Sequence, residues 1–276
     1  MKPFSIGLFV RGMAMGVADL VPGISGGTIA LITGIYSELL KSIKSIDGSA
    51  LKSLKRDGIA ATWRLINGNW LVTLLAGMLT SVALFSNGID YLLDAHTLSL
   101  WSFFSGVVIA SAIFLLRRYR PRHWHHWFLL VAGVQVAVAL AQMPVVVSQN
   151  SYLSLFLAGS VAVSAMILPG ISGTLIVVTL GLYPTMIAAL TNLQFDVLGA
   201  FSVGGIVGLL LFSRFLSWIM DRHQTALMAT MCGFLIGSLN LLWPWRQSSI
   251  TSLEKLSPMA TINLLPEQYA TVMQTD

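Results

Sequence analysis

Ser25 and Ser172 sit in two near-identical phrases. The first is Val21-Pro22-Gly23-Ile24-Ser25-Gly26-Gly27-Thr28 and the second is Leu168-Pro169-Gly170-Ile171-Ser172-Gly173-Thr174. Each phrase leads into an apolar run, so each predicts a helix start. The first amides of a helix have no intrahelical partner, and their dipole amounts to roughly +0.5 of a charge. A serine there caps the helix or donates to a ligand, and glycines let a ligand reach the backbone. Such a start receives an anion, a phosphate or a carboxylate. Ser25, Gly26, Gly27, Thr28, Ser172, Gly173 and Thr174 are therefore candidate phosphate contacts. Close helix packing is the plainer use of glycine, but a duplicated Pro-Gly-Ile-Ser-Gly is more than packing requires.

Arg11 and Asp19 lie within the first apolar stretch. A charge at a membrane helix centre costs on the order of 3 kcal/mol, so it normally has a partner or a function. Eight residues apart, the two are about 80° apart round one helix and roughly 12 Å apart along it, too far to pair directly. Arg11 has the planar fork that suits a phosphate. Asp19, beside the first phrase, is a candidate for a coupling proton or a bound cation. A structural ion pair with another helix, such as Asp19 with Arg214, is the equal alternative. Arg214 is a second candidate anion contact, with snorkelling to the interface as its rival. Glu38, near the end of its helix, is a candidate gating group, although a surface carboxylate is the stronger reading. His123, His125 and His126 have no carboxylate or cysteine beside them. They read as a solvated interfacial face, and neither a metal nor a cofactor is expected. Cys232 is the only cysteine, so no internal disulfide forms, and it reads as a core residue.

The elements that must position these groups follow from composition. Hydrophobic residues make up 55% of the chain and charged residues only 10%, against about 25% charged in soluble domains. The chain reads as an all-α polytopic membrane protein. The formal charge of +5 comes from basic loops that set topology, so nucleic acid is not an expected partner. Residues 4–18 lack a basic leader and a cleavage site and read as mature structure.

In order, the sequence predicts a re-entrant hairpin over 4–40, broken at the first phrase. A basic cytoplasmic insert follows over 41–68, with a short surface helix. Spans over 69–93 and 98–116 end at Arg117-Arg118-Tyr119-Arg120-Pro121-Arg122-His123, the strongest positive-inside signal. Residues 1–125 form this first unit, and 126–147 make a linking span. The second unit, 148–245, holds a hairpin over 152–190 and spans over 196–220 and 226–243. The tail, 246–276, is expected on the outer surface. Trp63, Trp70, Trp101, Trp124, Trp127, Trp218, Trp243 and Trp245 fall mostly at span ends and read as interface anchors.

The two units repeat. At an offset of 147, Pro22, Gly23, Ile24, Ser25, Gly26, Ile29, Gly34 and Tyr36 recur as Pro169, Gly170, Ile171, Ser172, Gly173, Ile176, Gly181 and Tyr183. At an offset of 127, Gly77, Phe85, Ser86, Asp94, His96 and Gly106 recur as Gly204, Phe212, Ser213, Asp221, His223 and Gly233. Arg11 and Asp19 do not repeat; Ala158 and Met166 stand in their places. Corresponding segments are separated by an odd number of crossings, so the second unit is expected to be inverted, with the N-terminus cytoplasmic and the C-terminus outside. Inverted repeats with helices broken at mid-membrane are the arrangement of secondary transporters.

The run Arg11-Gly12-Met13-Ala14-Met15-Gly16-Val17-Ala18-Asp19-Leu20-Val21-Pro22-Gly23-Ile24-Ser25-Gly26-Gly27-Thr28, with Gly34-Ile35-Tyr36 and Ile167-Leu168-Pro169-Gly170-Ile171-Ser172-Gly173, resembles the bacterial and archaeal PopT family of polyprenyl-phosphate transporters, formerly a domain of unknown function. The likeness covers nearly the whole chain. It implies a multi-pass protein of the bacterial cytoplasmic membrane, not an enzyme, that returns undecaprenyl phosphate to the cytoplasmic leaflet by alternating access. The implied partner is a polyprenyl phosphate lipid, with a coupling proton or cation and a second copy of the chain left open. A secondary transporter of a small soluble anion is the alternative.

Overall fold

A computed structural model describes residues 5–21, 23–142, 151–248 and 261–275. Pro22, the end of the linking span beyond 142 and Pro258 of the tail lie outside the described residues. The first unit starts with α1 (Ile6–Leu20), the turn, α2 (Gly26–Ile32) and α3 (Tyr36–Lys44). The insert holds α4 (Gly48–Arg56) and α5 (Ile59–Leu65), and the spans are α6 (Gly68–Ala95) and α7 (Thr97–Arg118). After α8 (Trp124–Gln142) come α9 (Tyr152–Ile167), α10 (Gly173–Thr179), α11 (Tyr183–Thr191) and α12 (Phe195–Leu242). The end of the chain folds back on α12. Strands β1 (Arg246–Ser248) and β2 (Thr261–Asn263) pair antiparallel, and α13 (Pro266–Thr275) follows.

One expectation needs correcting. The hairpins over 4–40 and 152–190 are expected to break once, at the Pro-Gly phrase, but the second arm of each is broken again. Gly34 (φ 77°) and Gly181 (φ 71°) take the left-handed conformation. Gly34 N–H then bonds Leu31 O and Ile35 N–H bonds Ala30 O. In the second copy Gly181 N–H bonds Val178 O and Leu182 N–H bonds Val177 O. This is the Schellman closure, which ends a helix with its last carbonyls satisfied. Between α10 and α11 the chain bends by 104°.

Four helices among the described residues are long and apolar enough to cross a membrane: α6, α7, α8 and α12. At 48 residues, α12 would extend about 72 Å if straight, more than twice a hydrocarbon core of about 30 Å. It is divided at His223, whose backbone is non-helical (φ −135°, ψ 47°). His96, between α6 and α7, has nearly the same conformation (φ −135°, ψ 38°). The local structure thus recurs with the sequence identities. Both ends of α2 and α3 lie 147 residues before those of α10 and α11, and α6 starts 127 residues before α12.

Glycine fixes tight helix crossings, and one pair of them recurs. A Cβ on Gly12 would lie 2.3 Å from Leu74 O, and one on Gly77 2.2 Å from Phe9 O. In the second unit a Cβ on Gly159 would lie 2.1 Å from Phe201 O, and one on Gly204 1.9 Å from Phe156 O. All these residues are counterparts at the same two offsets. Backbones in this contact gain dispersion that lipid cannot match, which drives helix association in a bilayer.

The insert contains two short helices rather than one. Asp47 caps α4 by accepting from Ser49 N–H at 2.8 Å and Ala50 N–H at 3.2 Å. Its bonds, first with the Ser49 hydroxyl and then with these amides, hold its carboxyl below the usual range. Leu51, Leu54 and Ile59 are exposed, as on helices that lie along an interface. Trp70 is buried rather than an anchor, and Trp63 donates to Asn69 Oδ1 at 2.7 Å. His123 and His125 stack with ring centroids 5.3 Å apart. Cys232 is buried, its thiol 3.6 Å from Ala112 O.

Gly204→Ala is expected to lower stability by about 3 kcal/mol, because the methyl meets backbone on a helix that cannot give. Gly106, with nothing within 4 Å of its Cβ position, should accept alanine with a change within about 0.5 kcal/mol. Thermal unfolding of the two variants in detergent compares them.

Candidate functional site

Each turn starts with a glycine in the left-handed region, Gly23 (φ 85°) and Gly170 (φ 81°), a conformation that costs other residues. The turns meet directly. Ser25 Oγ donates to Met166 O at 2.7 Å, where α9 ends. Gly170 N–H donates to Thr28 Oγ1 at 3.2 Å. Gly27 lies so close to α9 that a Cβ would be 2.5 Å from Ile167 O. Backbone groups freed by one break are therefore paired by the other, as a non-helical segment at membrane depth requires.

The first helix start already holds a side-chain carboxyl group. Gly26 N–H donates to Asp19 Oδ1 at 2.6 Å, and Gly27 N–H donates to Ser25 Oγ at 3.1 Å. A carboxylate there is favoured both by the bond and by the helix dipole. The alternative of a pair with Arg214 is replaced by this backbone contact seven residues away. Ser25, Gly26, Gly27 and Thr28 are all buried.

The second start is finished differently. Ser172 makes no side-chain cap bond, and Met166 stands where Asp19 does in the first unit. A Cβ on Gly173 would lie 2.3 Å from Met166 Cγ. Thr174 is exposed and, with Gly173 and Tyr183, lines a cavity of about 320 Å³. On the other face of α9, a larger groove of about 500 Å³ runs against α12 and reaches Leu168 and Ile171 of the turn. Both hollows are lined mainly by apolar side chains.

The arginines do not gather at the helix starts. Arg11 is exposed and sits nine residues before the end of α1, about 13 Å along the helix from the turn. Arg214 Nη2 donates to Ile46 O at 3.2 Å, and Lys44 Nζ donates to Ser217 Oγ at 3.4 Å. The segment entering the insert is thereby docked on α12. Glu38 accepts from Asn67 Nδ2 at 3.0 Å. Asn67 takes left-handed backbone (φ 56°, ψ 41°) as it starts α6, so Glu38 ties α3 to that start.

A family model described as VCA0040-like, undecaprenyl phosphate translocase-like, matches residues 15–258. The polyprenyl-phosphate transporter of Vibrio cholerae serotype O1 is 37% identical over 270 residues, covering 97% of this chain and 88% of that protein. The polyprenyl-phosphate transporter of Staphylococcus aureus is 30% identical over 268 residues, covering 91% of this chain and 90% of that protein. No solved structure matches the chain.

The two serines are expected to respond differently to alanine. Ser25→Ala removes a donor to Met166 O and an acceptor for Gly27 N–H and should cost about 1–3 kcal/mol. Ser172→Ala breaks no cap bond and should stay within about 0.5 kcal/mol of wild type. Thermal unfolding in detergent, with exchange protection at the Gly26 and Gly27 amides, separates the two.

Proposed function

This chain belongs to the VCA0040-like, undecaprenyl phosphate translocase-like family, and from that premise we propose that it carries a polyprenyl phosphate across the membrane. The reading rests on relatives named as polyprenyl-phosphate transporters over nearly the whole chain. The direction proposed is from the outer to the cytoplasmic leaflet of a bacterial cytoplasmic membrane, so that the carrier lipid of cell-wall polysaccharide synthesis is reused. The basic insert and the Arg117–Arg122 run support an N-terminus on the cytoplasmic side, with the C-terminus then outside.

The phosphate is proposed to dock at the second turn, on Ser172, Gly173 and Thr174, while the tail stays in lipid. That end of the turn pair has no internal carboxylate, whereas Asp19 already holds the first. Ser25, Gly26, Gly27 and Thr28 then act as the frame against which the second turn is held. Arg11 and Arg214 are proposed to meet the headgroup nearer the membrane surfaces, and Asp19 to couple transport to a proton or cation through its hold on α2. Glu38 acts at the junction of α3 and α6. The two units, inverted with respect to each other, rock about the turn pair in alternating access. Apolar hollows beside the turns suit a lipid tail better than a fully hydrated soluble anion.

In proteoliposomes, the wild type should exchange undecaprenyl phosphate between leaflets. Ser172→Ala combined with Thr174→Val should slow exchange by about a hundredfold or more, as expected for two lost bonds to a charged group at about 1.5 kcal/mol or more each. No exchange under any imposed ion gradient would overturn the reading, and uptake of a soluble phosphate instead would replace it.

A further inference from the structure

Some hydroxyls in these apolar helices bond back to their own backbone. Thr73 donates to Asn69 O, Thr80 to Ala76 O, Ser111 to Val107 O and Thr230 to Ala226 O. Ser160 and Ser164 of α9 do not, and they share one groove. Neither makes a hydrogen bond in the structure, and both line the groove of about 500 Å³ between α9 and α12. One helical turn separates them, roughly 6 Å along the axis, so they form a short polar track on an apolar wall.

The groove opens sideways. Leu211 and Phe215 on its α12 side are 60% and 52% exposed, and these helices are apolar, so the mouth faces lipid. Its inner end reaches the second turn at Leu168 and Ile171. Gly208 makes the room: a Cβ there would lie 2.3 Å from Ser160 Oγ. The first unit has no such track. Met13 and Val17 stand at the places of Ser160 and Ser164, and Ser81 at the place of Gly208. The Ser81 hydroxyl is engaged with Met78 O at 2.8 Å. The track therefore belongs to one unit and does not follow from the repeat.

We propose that this groove is the lateral binding site for a polyprenyl phosphate, with Ser160 and Ser164 donating to the phosphate oxygens and the α12 wall holding the first part of the isoprenoid tail. The proposal rests on the transport reading above and adds the route to the second turn. An unpaired hydroxyl in an apolar surround is unfavourable unless something pairs it. A phosphate oxygen is a strong acceptor for it. An apolar wall continuous with the bilayer admits a long tail without exposing it to water. A soluble anion would satisfy the serines but leave the wall without purpose, and an ordinary phospholipid would fill the wall with two chains at once.

The test is photocrosslinking in the full-length protein in bilayers doped with undecaprenyl phosphate. Leu211→p-benzoylphenylalanine should form an adduct with undecaprenyl phosphate that excess dioleoyl phosphatidic acid, with a similar headgroup, does not displace. The control Val72→p-benzoylphenylalanine, exposed on α6, should give no selective adduct. Adding Ser160→Ala and Ser164→Ala should lower the yield at position 211 by about tenfold. Equal displacement by phosphatidic acid, or a yield unaffected by the serine changes, overturns the groove. If the adduct behaves as expected but the wild type moves no polyprenyl phosphate between leaflets, the groove stands as a binding site and the transport reading falls. Exchange with an insensitive adduct gives the reverse.

Discussion

Everything in this bundle depends on one constraint: broken helices in an apolar environment must have their freed amides and carbonyls paired. Lipid offers no partner, and each unpaired group costs several kcal/mol. The two Pro-Gly breaks meet the constraint largely by facing each other. Ser25 reaches the carbonyl of Met166, and Gly170 N–H reaches Thr28. Residues 141 and 142 apart in sequence are thereby fixed to one another. What the first turn still lacks, Asp19 provides from within its own arm.

The glycine crossings hold this junction in place from behind. α1 lies on α6, and α9 on α12, at equivalent residues and with backbone in contact. Each broken hairpin is thus clamped to one long helix of its own unit. The clamps leave the turns as the place where the units touch near their starts of α2 and α10. Beyond them, α12 carries much of the connection between units, packing against α3, α7 and α8 as well as α9.

Much of this was legible in the sequence, and the misses have physical causes. The helix breaks at the two Pro-Gly phrases, the apolar spans and the break at His223 follow from apolar length and repeat spacing. Gly34 and Gly181 were visible as identities, but their role as helix ends depends on a left-handed φ that an identity does not reveal. The arginines were drawn to the turns by charge type alone. The same rise per residue that separates Arg11 from Asp19 also carries Arg11 away from Ser25. For Asp19 the sequence offers an arginine partner as one alternative, yet backbone amides at a helix start serve a carboxylate as well and cost no second buried charge. Ser160 and Ser164 gave no signal, because a serine in an apolar helix ordinarily bonds its own carbonyls, and only the structure tells which ones do not.

The asymmetry between the units bears on how such a bundle can move. Its scaffold is duplicated, but its polar groups are engaged on one side and free on the other. Consider a motion that pulls the turns apart. It breaks the Ser25–Met166 and Gly170–Thr28 bonds together and leaves four polar groups unpaired where water is scarce, at about 1–3 kcal/mol for each. A rocking motion about the turns keeps both bonds and instead changes the angle between units, while the α9–α12 groove, which lies within one unit, keeps its shape. Packed interfaces have few alternative arrangements and shift as bodies rather than deforming smoothly. The cross-turn bonds are therefore better placed as a pivot than as a gate. A headgroup held on the free side, at Ser172, would sit beside the pivot, where its own displacement is small while access to it changes most.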